Sequence, residues 1–231
     1  MGSQGITGCG YREVIRPGGW RLSWPLDHPL LVVRVAARHG LYPAGAMSMH
    51  MENQPILATD RLLLRSFALA DAFTVQQLAG DYAVAATTLL PHPYPDGLAE
   101  LWIASLREGI ERGDTAAFAI TLAGEGRLIG GVRLRIDCGH RRAELGFWVA
   151  RSCWGRGYAT EAVRAMIEYG FSALGLHRVY AMHFSRNPAS GRVMEKCGMV
   201  HEGRFREHIR KWGVFEDVDI WGILREGGAF P

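Results

Sequence analysis

Residues 144–162 read Glu144-Leu145-Gly146-Phe147-Trp148-Val149-Ala150-Arg151-Ser152-Cys153-Trp154-Gly155-Arg156-Gly157-Tyr158-Ala159-Thr160-Glu161-Ala162. An apolar, strand-like run enters a Gly-x-Gly loop. From about Tyr158 to Phe171, Ala159, Ala162, Val163, Met166, Ile167 and Phe171 then fall on one helical face. The first-turn N–H groups of such a helix have no internal partner and carry about half a positive charge from the macrodipole. Gly155 and Gly157 allow positive φ and a close main-chain approach, and Arg156 adds a cation. Together they form a cradle for a pyrophosphate. A dinucleotide fingerprint would need glycine where Thr160 stands, and a P-loop would need Gly-Lys-Ser/Thr; neither is present.

Downstream, Asn187-Pro188-Ala189-Ser190-Gly191-Arg192-Val193-Met194-Glu195-Lys196-Cys197-Gly198-Met199 follows the strand-like run Arg178–Phe184. Pro188 suits the first turn of a short helix and Gly198 its stop. Upstream, Leu128–Ile136 and Ala143–Val149 read as an antiparallel pair joined through Gly139. Ala116–Leu122 reads as a strand that ends in the turn Gly124-Glu125-Gly126. Arg61–Arg65 is a further short strand. Asp71 is placed to cap a helix through Leu78. Asp96 is placed to cap another, with the stripe Leu98, Trp102, Leu106 and Ile110 and a stop at Gly113. Two last strands are expected over Met199–His208 and Val214–Leu224. The order is mixed α/β around one central strand–loop–helix–strand unit, without internal repeats.

The 231 residues are 48% apolar and 21% charged, a globular composition. No stretch reaches the roughly 18 apolar residues of a membrane helix. The net charge of +3 belongs to the leader, because the residues after position 50 carry equal numbers of basic and acidic side chains. A neutral body gives poor support for nucleic-acid binding. Six glycines by position 19, four prolines and a run of Met47, Met49 and Met51 mark residues 1–50 as a poorly structured extension. An upstream start of translation would also produce such a leader. The folded domain is expected over 51–231. Cys9, Cys138, Cys153 and Cys197 form no Cys-x-x-Cys pair and read as free thiols of a reducing, cytoplasmic protein. The nine histidines offer no ligand spacing, so no metal is expected.

The two motifs, in this order and at this spacing, resemble motifs A and B of the GCN5-related N-acetyltransferase (GNAT) superfamily. The RimJ/RimL-like branch is most similar, with W-G-x-G-Y-A-T-E-A followed by N-x-x-S-x-x-V-x-E-K-x-G-[FM]. The similarity spans about residues 56–225. It implies the acyl-CoA N-acyltransferase fold, a central mixed sheet with splayed strands flanked by helices. It implies acetyl-CoA as cosubstrate, with its pyrophosphate on the main chain of Trp154, Gly155, Arg156, Gly157, Tyr158, Ala159 and Thr160. The pantetheine arm would lie beside Phe147, Trp148 and Val149, between Ala143–Val149 and Arg178–Phe184, with Asn187 facing it or the acyl end. Motif A often begins with Gln or Arg where this chain has Ser152. The main-chain cradle does not need that side chain. The branch further implies an amine acceptor, a protein N-terminal amine above all, and commonly a homodimer. Polyamines, amino acids and aminoglycosides are the alternative acceptors. A non-catalytic acyl-CoA-binding module is the alternative class.

Acetyl transfer to an ammonium group requires a base, a donor to the tetrahedral oxyanion and an acid for the leaving thiolate. Many members of the superfamily carry the acid as Tyr seven residues after the motif-B Asn. Here that residue is Met194, which cannot donate, and Ser190 takes the role by resemblance to the branch. Glu144 is the first candidate base, because strand alternation puts it on one face with Gly146 and Trp148. His183 is its rival, with an ordinary pKa near 6.5. Glu161 is expected to serve the helix's first turn. Asp217 and Asp219 could receive a cationic acceptor. The loop containing His92 is expected to border the acceptor.

Overall fold

A computed structural model describes residues 54–225 and, as backbone, the short strand β1 (Val32–Arg34). The rest of the expected extension over 1–50 lies outside the described residues. Strands β2 (Ile56–Ala58) and β3 (Leu62–Arg65) precede helices α1 (Ala72–Ala79), α2 (Tyr82–Ala86) and α3 (Leu98–Arg112). Strands β4 (Thr115–Leu122), β5 (Leu128–Asp137) and β6 (Arg142–Val149) lead to α4 (Tyr158–Ser172). Strand β7 (Arg178–Phe184), α5 (Pro188–Lys196), β8 (Val200–Lys211) and β9 (Val214–Leu224) complete the chain. All strands join one mixed sheet in the order β1-β2-β3-β4-β5-β6-β7-β9-β8. The result is a mixed sheet flanked by helices, as the motifs led one to expect.

Strand β4 explains why the sheet has two covered faces. All but its first residue are buried, so period-two alternation is absent. Phe118 and Ile120 belong to the core beneath α4, where Phe118 meets Tyr169 edge-on at 5.5 Å. Ala117 and Ala119 face the other way, toward Val75, Ile103 and Leu106 of α1 and α3. Their small side chains let those helices approach the sheet. Removing a ring like that of Phe118 from a packed core costs about 3–5 kcal/mol.

Several local expectations are corrected. Asp71 makes no side-chain cap to α1. It accepts two hydrogen bonds from Arg65, at 2.7 and 2.8 Å, and one from Ala68 N–H at 2.8 Å. The cap of α3 is Gly97, while Asp96 accepts from Gln76 Nε2 at 2.6 Å. Strand β8 runs to Lys211, past the expected end, with irregular register against β9. Cys153 and Cys197 are free thiols, as expected, and Cys9 lies outside the described residues. Among the described residues no helix is long and apolar enough to cross a membrane.

Candidate active site

Strands β6 and β7 are parallel partners only from Arg142↔Arg178 to Leu145↔Ala181. Past that pair β6 stays with β5 as far as Val149↔Gly130, and β7 stays with β9 as far as Phe184↔Val218. A V-shaped gap opens between them. Ala150 N–H donates to Ile129 O at 2.7 Å. That bond fixes the antiparallel alternation: the main chain of Gly146 and Trp148 turns toward β5, and that of Phe147 and Val149 turns toward the gap. Trp154 Nε1 donates to the Val149 carbonyl at 2.7 Å. Phe147 N–H and C=O and Val149 N–H remain as a strand edge. An extended ligand with amides of its own can pair with such an edge.

The gap is part of a cavity of about 730 Å³. Phe147, Trp148, Val149, Trp154, Gly155, Gly157, Tyr158, Ala159, Thr160 and Asn187 all line it, as do Glu144, His183 and Ser190. Arg156 does not. Gly155 and Gly157 have φ of 73° and 80°. A Cβ on Gly155 would meet nothing within 4 Å. Glycine is therefore required there by the left-handed backbone, not by lack of room. Gly157 is the N-cap of α4 and supplies no side-chain bond. The first helical bond is Glu161 N–H to Gly157 O, at 3.0 Å. The N–H groups of Tyr158, Ala159 and Thr160 thus stay available, as a phosphate requires. Arg192 and Lys196 of α5 line the same cavity and add positive charge.

The loop is held from a distant turn. Glu161 Oε1 accepts from Thr59 Oγ1 at 2.6 Å and from Arg61 N–H at 2.9 Å, and Oε2 accepts from Arg61 Nε at 2.8 Å. Arg61 also donates to the Arg156 carbonyl at 3.0 Å and stands over the Tyr158 ring. Burial pushes the Glu161 pKa up, but the bonds from Thr59 and Arg61 and the arginine charge outweigh it and hold the carboxyl below its ordinary value. Motif inspection did not reveal this clamp, because its two halves lie about one hundred residues apart in sequence.

Ser190 and Asn187 form a unit at the start of α5. Asn187 caps the helix by accepting from Ser190 N–H, and its Nδ2 donates to Ser190 Oγ at 2.9 Å. The hydroxyl thus receives a bond from Asn187 and keeps its own proton for another acceptor.

The two candidate bases differ sharply. Trp221 Nε1 donates to His183 Nε2 at 3.1 Å, and His183 Nδ1 lies 2.8 Å from Phe184 O. An indole N–H only donates, so Nε2 must accept and Nδ1 must carry the proton. Both ring positions are engaged in a buried site. Both nitrogens of His183 are therefore engaged within the protein, which favours Glu144 over it as the base. Glu144 pairs with Arg135 through Oε2, while Oε1 has no hydrogen-bond partner among the described residues.

The opposite wall is aromatic. Trp148 and Phe67 lie over Gly131, where a Cβ would sit 3.0 Å from each. Phe67 meets Trp102 edge-on at 4.9 Å. Leu89, Leu90, Pro91 and Tyr94 close this end, whereas His92 itself stays outside the lining and bonds Gly80 O at 3.0 Å. Lys211 Nζ donates to Leu90 O and holds the loop to the β8–β9 hairpin. Burial, then the charge of Arg186, lowers the Lys211 pKa. Asp219 is committed to Arg204 and His201, each at 3.0 Å, and Asp217 accepts from Glu207 N–H at 2.8 Å. Asp219 therefore has no open carboxylate for a cationic acceptor. Burial pushes the Cys197 thiol up to about 11, far from a nucleophile's range. Among the described residues no group of three or more His, Cys, Asp or Glu could hold a metal.

Comparison with known proteins adds to this geometry. Residues 61–200 match the acetyltransferase (GNAT) domain family. The uncharacterized N-acetyltransferase YoaA of Bacillus subtilis is 32% identical, over 74% of this chain and 97% of its own. The spermidine N(1)-acetyltransferase of Vibrio cholerae is 32% identical, over 58% of this chain and 76% of its own. Among solved structures, a GNAT-family acetyltransferase from Bacillus anthracis superposes with a TM-score of 0.66 at 28% identity, covering 73% of this chain and 98% of that one. The Vibrio cholerae spermidine N-acetyltransferase in complex with CoA and spermine gives 0.63 at 28%, covering 72% and 96%.

Proposed function

The chain belongs to the GNAT N-acetyltransferase family and is an acetyl-CoA-dependent acyltransferase, and from that premise we propose that it acetylates a primary α-amine by direct transfer in a ternary complex. The observation that carries the reading is the gap between β6 and β7, with the glycine loop at its mouth and the Asn187–Ser190 pair on its flank. The pyrophosphate is held by the first-turn N–H groups of α4, and the pantetheine amides pair with Phe147 and Val149. Glu144 takes the ammonium proton through Oε1, directly or through one water. The amine attacks the thioester carbon. A main-chain N–H of the open β6 edge holds the oxyanion. Ser190 donates to the departing sulfur.

The branch resemblance favours a protein N-terminal amine as acceptor. The polyamine reading has the spermidine-acetylating relative in its favour. Against it, Asp219 is already paired with Arg204 and His201, and Glu144, whose other oxygen pairs with Arg135, offers one open oxygen where a polyamine carries several charges. The aromatic wall favours an acceptor with a single amine over a polycation.

The test is release of free thiol from acetyl-CoA in the presence of peptides, amino acids and spermidine. Amine-dependent release, with acetylated product seen by mass spectrometry, supports transfer. Tight acetyl-CoA binding with no amine-dependent release would make this chain a binding module instead.

A further inference from the structure

The acceptor end of the cavity carries a cation without a counter-ion. Arg133 stands on β5 directly opposite Gly146 and lines the cavity. The neighbouring charges on that sheet face are Arg135 and Glu144, which oppose each other in register and are already joined as an ion pair. Arg133 has no hydrogen-bond or ion-pair partner among the described residues. The three side chains together leave one positive charge. A Cβ on Gly146 would meet nothing within 4 Å, so the space beside the guanidinium is open. Gly146 is also the first residue past the last β6–β7 pair, where the splay begins. Arg133 is exposed toward the cavity; burial, then the charge of Arg135, lowers its pKa against the smaller opposing pull of Glu144. An arginine remains charged there, and its planar guanidinium favours two-point pairing with a carboxylate.

We propose that Arg133 determines acceptor choice by binding a carboxylate that lies within a few bonds of the acceptor amine. Two sources present this chemistry: the α-carboxylate of a free amino acid, and an acidic side chain at the first position of a peptide. The assignment rests on the transferase reading above. Arg133 exchanges no proton. The amine nitrogen gains a bond to the acetyl carbon as the C–S bond breaks; one ammonium proton passes to Glu144, and a second N–H proton of the attacking nitrogen restores the proton that Ser190 gives the sulfur, so CoA leaves as the thiol. A polycation is disfavoured because it would have to settle beside an uncompensated guanidinium.

The experiment compares two acceptor pairs, a free amino acid against its amide and a peptide beginning with Asp against the same peptide beginning with Asn. Turnover is read as thiol release by the native chain, R133Q and R133K. The native chain is expected to prefer the carboxylate member of one pair by about tenfold or more in kcat/KM, and the pair concerned identifies the source. In R133Q that ratio falls to within about twofold, through KM, and R133K retains part of it. Equal use of both members by the native chain would overturn the proposal. So would a preference that survives R133Q, or spermidine turned over faster than any carboxylate-bearing amine. Calorimetry of an N-acetyl amino acid and its amide on the CoA-loaded chain reads the same contact without turnover. Carboxylate-dependent binding lost in R133Q supports Arg133 even if no amine is acetylated, a result that would sink only the transferase reading. Equal binding of acid and amide removes Arg133 from recognition.

Discussion

The Ser190 hydroxyl receives the Asn187 amide, so its own proton is directed to whatever stands in the gap. Ser190→Ala removes that donor while leaving Asn187 Oδ1 free to cap α5. The expected result is a kcat lower by more than about tenfold, roughly 1.4 kcal/mol of barrier, with acetyl-CoA affinity little changed. Pre-steady-state thiol release alongside calorimetric titration checks both halves, and unchanged turnover would remove Ser190 from the chemistry. Glu144→Gln is expected to lower kcat by about a hundredfold near neutral pH. Raising the pH should restore part of that rate, because more of the acceptor then arrives as free amine. A pH–rate profile with no such recovery would exclude Glu144 as the base. That Ser190 and Glu144 line one cavity was legible in the sequence, one from its motif and one from strand alternation. His183 shows the limit of such reading. A histidine's ordinary pKa is visible in the sequence, but the indole of Trp221 that occupies its Nε2 comes from a strand nearly forty residues away. Arg133 was equally hidden, because an unpaired charge is defined by what neighbouring strands place beside it.

The loop before α4 is held by a single carboxylate. Glu161 gathers Thr59 and Arg61 from the β2–β3 turn, and Arg61 in turn holds the Arg156 carbonyl. Its folded-state pKa is below the ordinary 4.5. The carboxylate therefore adds stability that is present in full above the unfolded value and is lost as pH falls through the lowered folded value. Melting followed from about pH 6 to about pH 3 should show the native chain losing stability more steeply than Glu161→Gln, the two curves converging at the acid end. Parallel curves would mean that the clamp carries no proton-linked stability. Gly157→Ala at φ 80° should cost roughly 1–2 kcal/mol. The loss should appear in urea unfolding as a lower midpoint with an unchanged slope. The glycine loop and its helix could be read from the sequence, because both the backbone requirement and the apolar period are local. Short elements could not. Strand β2 and helix α2 are three and five residues long, too brief to show a period. Asp71 and Asp96 looked like caps by position, yet each found a longer-range partner in Arg65 or Gln76.

Across the whole molecule, two cores are built on opposite faces of one sheet, and the sheet is divided where β6 follows β5 and β7 follows β9. Element order was legible strand by strand, whereas the division was expected only through the family resemblance. The division belongs to register, which no single strand encodes. Strand β4 was recognisable without alternation because residues buried on both faces make an unbroken apolar run. A split sheet also leaves main-chain donors and acceptors of Phe147 and Val149 without a strand partner. A ligand that supplies the missing strand should therefore stabilise the entire fold, not just a loop. Binding only the native state adds RT ln(1 + [L]/Kd), about 2.7 kcal/mol when the ligand is at one hundred times its Kd. For a domain of this size that corresponds to a rise in melting temperature of roughly 5–10 °C. CoA at saturation should produce that rise, and NAD should produce none, because it brings a diphosphate but no pantetheine amides to pair with β6. Scanning calorimetry with each ligand decides the point. An equal shift from NAD would mean that the α4 cradle alone supplies the affinity, and no shift from CoA would mean that the gap between β6 and β7 does not receive the pantetheine arm.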